Sequence, residues 1–412
     1  MLFPSFPHTE DALPYSLRSV ILLTELKSIK GLNFDYLLGE AAAQRQKGDM
    51  FLEPPFKPAP HHRWFLAVLI LFIAPHLYAA AFTGAEGYGA NATGGSKLVQ
   101  VTNLNDSGPG SFREAVATKG SRVEFSVSGT IVLKSEVAVA SDVTLDGTTA
   151  PEQGITITGF PVSLSGQSNL IIRNLRFREG LSGPPKKCSL QGSDCSNLIV
   201  DHCSIEQGRW DCLEFTGHSH DITVQWCIIG EGIPPQYFGT LLNGEDRITF
   251  HHNLYVDNKS RNPKLKANAQ YINNVIYNWG TGGGLVGGHS GATWNSDVIN
   301  NFIMAGPSSN TDWLAMCTAS DTWYVAGNVV DVNKDGKADL TAAPSTDFAA
   351  KGVTIRPEIL YHPSVAVTIE PVSKCIQEAA DGAMGCHPID ETDRRLIGYF
   401  KSFGKEGRMG TP

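Results

Sequence analysis

The feature that most restricts this chain is a recurrence of short apolar strands. From residue 169 onward the segments NLIIRNLRF, NLIVDHCSI, DITVQWCII, RITFHHNLY, QYINNVIYN, SDVINNFIM and TWYVAGNVV follow one another. Superposed, they put Leu175, Cys203, Cys227, Asn253, Asn274, Asn301 and Asn328 in one column, at steps of 28, 24, 26, 21, 27 and 27 residues. A strand of this length cannot bury an apolar face alone, so each needs a copy above and below. Steps of this size suit one solenoid coil of three short strands and three turns. Stacked asparagines can hydrogen-bond along such a column while tolerating left-handed backbone at a bend. The intervals hold Gly, Pro and β-branched residues rather than a 3.6-residue period, so no helical crossover fits. The expected fold is all-β, a parallel β-helix with an asparagine ladder. Cys203 and Cys227 continue the column either as stacked buried thiols or as a bridge, and the spacing does not choose.

The chain has 412 residues, 42% hydrophobic and 18% charged, enough to bury a large core. Its net charge of -8 argues against a nucleic-acid partner, and an acidic ligand of any kind would need a local basic patch. His61, His62 and Arg63 precede an apolar run from Trp64 to Ala74, then Pro75 and the small residues Ala79 to Ala81. That is the layout of a secretory signal peptide over 61–81, and the run is well short of the roughly 20 residues that span a bilayer. The protein is therefore expected to be secreted, extracellular, free of the membrane once the signal is removed, and monomeric. Residues 1–60 read as a disordered leader or start-site extension, 82–340 as the β-helix and 341–412 as a C-terminal segment packed on it. All eight cysteines follow the signal; an even count in an exported chain predicts disulfides, and no CxxC spacing suggests metal binding by thiols. Sequons at Asn91, Asn105 and Asn258 fit export.

The basic patch is present: Lys259, Arg261, Lys264 and Lys266 lie within eight residues of one another. Asp211 lies as far beyond Cys203 as Arg261 lies beyond Asn253, and Glu214 and Lys264 share the next equivalent offset. Equal turns would set Asp211 and Arg261 two coils apart, roughly 10 Å at about 4.8 Å per strand. Farther on, Asp331, Asn333, Asp335, Lys337 and Asp339 alternate around Gly336 as oxygen ligands do in an EF-hand loop, with Ala342 where the last ligand would be. The pattern predicts a structural Ca²⁺ site, with an Asx-rich turn as the alternative.

Longer stretches carry a resemblance. AFTGAEGYGANATGG, VTNLNDSGPGSFREAV, LDGTTAPEQGITI, IIRNLRFREG, VDHCS, VQWCIIGEG, FHHNLYVDNKSRNPK, NNVIYNWGTGGG and DETDRRLIGYFKSFG together resemble secreted pectate lyases of polysaccharide lyase family 1, particularly the fungal pectate lyase C group. The likeness covers nearly all of the chain after the signal. It implies a right-handed β-helix whose cleft binds polygalacturonate, an acidic plant cell-wall polysaccharide. It also implies an arginine that takes the C5 proton, which in the segment Ser260 to Lys264 is Arg261. The second basic position matches Lys266.

Elimination across a uronate needs the substrate carboxylate neutralised, a carbon-bound proton removed and the enolate-like intermediate stabilised, so cations belong at the reacting sugar. Arginine is an awkward base because its guanidinium is almost always charged. The alternative division of labour has Arg261 holding the intermediate while water or hydroxide takes the proton. Lys264, Lys266, Asp211, Glu214 and Trp210 are the expected substrate-binding residues. Asp211 and Glu214 are also candidate oxygen ligands for a Ca²⁺ bridging to the substrate carboxylate. The chain departs from the family at this point: Cys188 and Trp210 fall where related lyases carry acids, and no lysine lies near Tyr237 to Leu242. These departures argue against a cleft calcium and leave Trp210 free to stack on a sugar. They also keep open a calcium-independent or pectin lyase-like variant, a hydrolase built on Asp201, Asp211 and Glu214, and a non-catalytic carbohydrate-binding solenoid.

Overall fold

The computed structural model describes residues 80–410. The leader at 1–60 and nearly all of the signal segment at 61–81 lie outside them. Each coil turns through three faces. Leu190–Ser193, Ser196–Asp201 and Ser204–Glu206 form one coil, and Asp211–Thr216, His220–Gln225 and Ile228–Gly230 the next. Every pairing between coils is parallel along the named strands, and the third face runs as a sheet of nine strands. Inward positions stack in columns of like residues. Leu170, Leu198, Ile222, Ile248 and Ala269 form one, and Ile172, Val200, Val224, Phe250 and Tyr271 another, all buried. Stacking like on like fills the core without any strand needing to be long.

The bend between the second and third faces explains the asparagine column. Asn174, His202, Trp226, His252, Asn273 and Asn300 each adopt positive φ there, between 48° and 55°. Left-handed backbone costs about 1–3 kcal/mol at a non-glycine residue unless its surroundings impose it, and the next residue supplies that constraint. Asn274 Oδ1 accepts from the Asn253 backbone N–H at 3.1 Å, Asn301 Oδ1 from Asn274 N–H at 2.9 Å, and Asn328 Oδ1 from Asn301 N–H at 3.0 Å. Toward the N-terminus Asn253 Oδ1 accepts from Cys227 N–H at 2.9 Å. One rung earlier the Cys227 sulfur takes that place, 3.4 Å from Cys203 N–H.

This corrects the disulfide expectation. All eight cysteines are free thiols, and all but Cys317 are buried. Cys203 and Cys227 stack as ladder rungs; their thiols donate to carbonyls of Asp201 and Gln225 at 3.4 and 3.1 Å.

Past the last coils, the helices Val372–Asp381 and Glu391–Lys401 lie on the third face. Leu396, Ile397, Phe400 and Cys375 pack against Ile228, Leu254, Val256, Tyr277 and Phe302. A polar clamp adds direction: Arg178 bonds Asp390 at 2.6 Å, Asp393 at 3.1 Å and buried Glu206. The coil itself extends past residue 340, because Thr354–Ile355 pairs with Thr322 and Trp323.

Candidate active site

The basic segment and the acidic pair meet on the first face. Asp211 opens its strand opposite Phe238, which in turn bridges to Ser260. Glu214, Leu241 and Lys264 form the parallel column three residues on. The two-coil offset expected from the ladder is thus present, but the gap between Asp211 and Arg261 is closed by the arginine side chain. Arg261 has φ of 61°, and its Nη1 reaches across Phe238 to Asp211, at 2.8 Å from Oδ2 and 3.2 Å from Oδ1. Its guanidinium carbon lies 4.2 Å from the centre of the Phe238 ring, a cation–π contact that holds the planar head against the wall. The head keeps 18% of its surface exposed, whereas Asp211 has none.

Lys259, Ser260, Arg261, Lys264, Phe238, Gly282, Val286, His289 and Met316 line an open groove of about 400 Å³. Lys264 Nζ lies 3.1 Å from His289 Nδ1. Burial, then the positive charges of Arg261 and Lys266, lower the Lys264 ammonium from its ordinary value. Lys266 shares the outward face of Lys264, opposite Asn243, but does not line the groove. The residues that sequence reasoning missed are Phe238, His289 and Met316. Register alone carried the signal for Phe238, which lies on the strand between Asp211 and Ser260.

Trp210 stands beside the groove rather than in its lining. It is half-buried, its N–H donates to Lys187 O at 2.8 Å and its carbonyl accepts from Phe238 N–H at 3.2 Å. It precedes the strand and does not line the groove; Phe238 is the aromatic residue that does.

Cys188, Asp211 and Glu214 come together, with one ligand atom from each inside 4.8 Å of the others. The Cys188 thiol donates to Glu214 Oε2 at 3.5 Å, and burial, then the charges of Glu214 and Asp211, push it well above its ordinary pKa. Burial pushes the Asp211 carboxyl up to about 7, with Arg261 opposing and Glu214 adding to the rise. Ca²⁺ asks for roughly six to eight oxygen ligands. A protonated thiol and a carboxylate already bonded through both oxygens to a guanidinium do not meet that demand, so this donor set does not fit calcium. Nor does it suit a glycosidase: Asp211 is tied to Arg261, and Asp201 is engaged elsewhere by Arg173, His202 and Gln225.

In the EF-hand-like loop the side chains cap their own backbone. Asp331 Oδ1 accepts from Asn333 N–H at 3.2 Å, Asn333 Oδ1 from Asp335 N–H at 3.0 Å, and Asp335 Oδ1 from Lys337 N–H at 2.9 Å. Asp331 Oδ2 accepts from Asp339 N–H at 2.9 Å. Among the described residues the carboxylates of Asp331, Asp335 and Asp339 do not converge to within 4.8 Å of one another. The oxygen donors are chemically suited to calcium, but this arrangement is that of an Asx-rich turn. Of the sequons, Asn258 is fully buried with its amide bonded to Ile229 O and Gly232 N–H, which excludes a glycan on it in the folded chain. Asn105 is exposed, and Asn91 donates to Ser364 Oγ at 2.6 Å.

Residues 128–303 match the family model described as "Right handed beta helix region". The chain is 37% identical over 331 residues to a probable pectate lyase C of Aspergillus fumigatus, covering 80% of this chain and 79% of that protein. It is 36% identical over 333 residues to the probable pectate lyase C of Aspergillus flavus, with the same coverage of 80% and 79%. Among solved structures, the cedar-pollen allergen jun a 1 superposes with a TM-score of 0.57 at 17% identity, over 73% of this chain and 92% of the allergen. The thermostable pectate lyase PL 47 does so with a TM-score of 0.55 at 14% identity, over 77% of this chain and all of that one, which is a likeness of fold. The hand of the coil is thus right, and by its identity to the Aspergillus proteins over four-fifths of its length the chain belongs to the pectate lyase C family.

Proposed function

We propose that this protein is a pectate lyase: it cleaves polygalacturonate by β-elimination in the groove at Lys259 to Lys264, with Arg261 as its catalytic residue. The observation that carries the site is Arg261 itself, whose guanidinium is fixed by Asp211 and Phe238 yet faces an open groove with lysines on its rim. A polyanionic sugar chain entering the groove meets Lys259 and Lys264 first. Their charges offset the uronate carboxylate, which makes the adjacent C5–H more acidic. Arg261, kept charged by Asp211, stands to hold the enolate-like intermediate while water or hydroxide takes that proton, and Asp211 acts as its positioning residue, because two bonds from one carboxylate leave the head little rotational freedom. Lys266 extends the positive stripe along the same strand.

Export fits this substrate, since the polymer lies outside the cell. Among the described residues no helix is long and apolar enough to cross a membrane. No calcium bridge is placed in the cleft, in line with the departures at Cys188 and Trp210, because the donor set of Cys188, Asp211 and Glu214 does not fit one.

The test is incubation with polygalacturonate, with and without chelator, following the absorbance of the unsaturated product. The reading requires product that survives chelation and disappears in Arg261→Ala. New reducing ends without unsaturation would make the protein a hydrolase, and polymer binding with no product would leave a carbohydrate-binding solenoid.

A further inference from the structure

A second cluster lies at the bend between the second and third faces, under the helix Val372–Asp381. Here His202, Trp226 and His252 stack in sequence, at 6.0 and 4.4 Å between ring centres. His252 has only 2% of its side chain exposed, and its Nδ1 lies 2.9 Å from His251 Nδ1. His251 Nε2 in turn lies 3.1 Å from Gln225 Oε1.

Those contacts fix where the hydrogens are. The Gln225 amide donates through Nε2 to Gly84 O at 3.0 Å and Asp201 Oδ1 at 2.8 Å, while its Oε1 accepts from Glu86 N–H at 3.1 Å. Oε1 can only accept, so His251 Nε2 carries a hydrogen. With its hydrogen on Nε2, a neutral His251 ring has a bare Nδ1. The hydrogen between the two rings therefore belongs to His252 Nδ1, and a neutral His252 presents a lone pair at Nε2.

That lone pair meets other acceptors. His252 Nε2 is 3.5 Å from Glu370 Oε2 without a hydrogen bond, and Glu378 completes the group, one ligand atom from each lying within 4.8 Å of the others. His252 Nε2, Glu370 Oε2 and Glu378 Oε2 are all buried and unpartnered. The ammonium of Lys374 sits on the far oxygens, bonded to Glu370 Oε1 and 3.5 Å from Glu378 Oε1. Three buried acceptors facing one another with no donor among them are costly unless a cation lies between them.

We propose that His252, Glu370 and Glu378 hold a divalent transition-metal ion of the zinc class, which pins the helix Val372–Asp381 to the solenoid. One imidazole and two carboxylates, with water in the fourth position, is a tetrahedral zinc donor set. An imidazole ligand disfavours Ca²⁺ and Mg²⁺, which take oxygen. The bond from His252 Nδ1–H to His251 is the second contact that a metal-bound histidine uses to fix its ring. The site owes nothing to the groove chemistry, since none of its residues lines that groove.

The test uses the full chain, stripped with EDTA and dialysed, then titrated with ZnCl₂ by calorimetry, with retained metal counted by mass spectrometry. The expected result is one zinc per chain at this site, a Tm several degrees above that of the stripped protein, and loss of both in His252→Gln and Glu378→Gln. Glu378 keeps 20% of its side chain exposed, so its variant should fold, which a Tm equal to that of the stripped parent verifies. Cys188→Ser should leave this zinc in place. The proposal is overturned if the chain takes up no zinc, if both variants bind it as the parent does, or if only Cys188→Ser loses it. The first of those outcomes would mean that shared protons balance the cluster.

Discussion

Glu245 offers a stability prediction opposite in sign to that of most core substitutions. It sits in the long run Phe238–His251 at a break in register, where Asn243 faces Lys266 and Glu245 faces Ala267. Only 1% of it is exposed, and neither carboxylate oxygen has a hydrogen-bond partner. Burial drives its carboxyl up to about 9; the charge of Lys266 offsets the rise only in part, while Glu214 adds to it. Because the folded value lies above the unfolded one, the contribution to stability is present at low pH, below the ordinary carboxylate range, and is lost as pH climbs toward about 9. Each pH unit in that window costs about 1.4 kcal/mol, so at neutral pH the native chain has forgone about 3 kcal/mol. Glu245→Gln keeps the shape of the protonated acid and removes the titration. It should match the parent within about 1 kcal/mol near pH 4.5 and exceed it by about 3 kcal/mol at pH 7. The assay is the urea midpoint of both proteins from pH 4.5 to 9. A difference between them that stays the same at pH 5 and pH 8 would refute the reasoning.

Arg261→Ala should lower kcat/KM on polygalacturonate by about a thousandfold. It should also destabilise the fold increasingly as pH rises above 7, by up to about 3–5 kcal/mol, because without Arg261 the buried Asp211 carboxyl is pushed still higher and must either stay protonated or ionise unpaired; below pH 7 the loss should be smaller, as urea melts at the two pH values will show. Lys264→Ala should raise KM on polygalacturonate about tenfold and change it little on the fully methylated polymer, which lacks the carboxylate to be offset. Asn274→Ala removes an amide that donates to Phe250 O and accepts from Asn253 N–H, so it should cost about 3–5 kcal/mol by denaturant titration. Cys188→Asp should create a calcium response, seen as a Tm that rises with CaCl₂ and falls with chelator; a variant indifferent to both would contradict the charge balance argued for this site.

The architecture was legible because it is periodic. The column from Cys203 to Asn328 stated the coil length and the position of the bend, and the same offsets placed Glu214 in line with Lys264. What a period cannot state is how a side chain leaves its strand. Nothing in the spacing shows Arg261 crossing Phe238 to reach Asp211, since that depends on a left-handed φ at residue 261 and on an aromatic residue one coil away. Trp210 shows the same limit: it stands just before the strand that begins at Asp211, and the groove at Arg261 is lined by Phe238 instead. Cysteine count misled because it counts thiols without asking where they point; here Cys203 and Cys227 serve the ladder as rungs. The cluster of His252, Glu370 and Glu378 was out of reach, because it joins residues more than a hundred positions apart through the packing of a helix on the solenoid.

The charge balance of the groove follows from a single exchange. An aspartate at position 188 would crowd three carboxylates into a space where one atom of each lies within 4.8 Å of the others, and three like charges at that range demand a multivalent cation. With a thiol there, held protonated by its own burial, at most two negative charges remain. One of these, Asp211, is met directly by Arg261 at 2.8 Å, and Lys264 stands in register with the other, Glu214. The chain thus supplies by its own side chains the positive charge that a metal would otherwise bring. On the function proposed above, a guanidinium and two lysines would bind a uronate through hydrogen bonds and point charges that need no third ion, so affinity for the polymer should depend on ionic strength rather than on calcium.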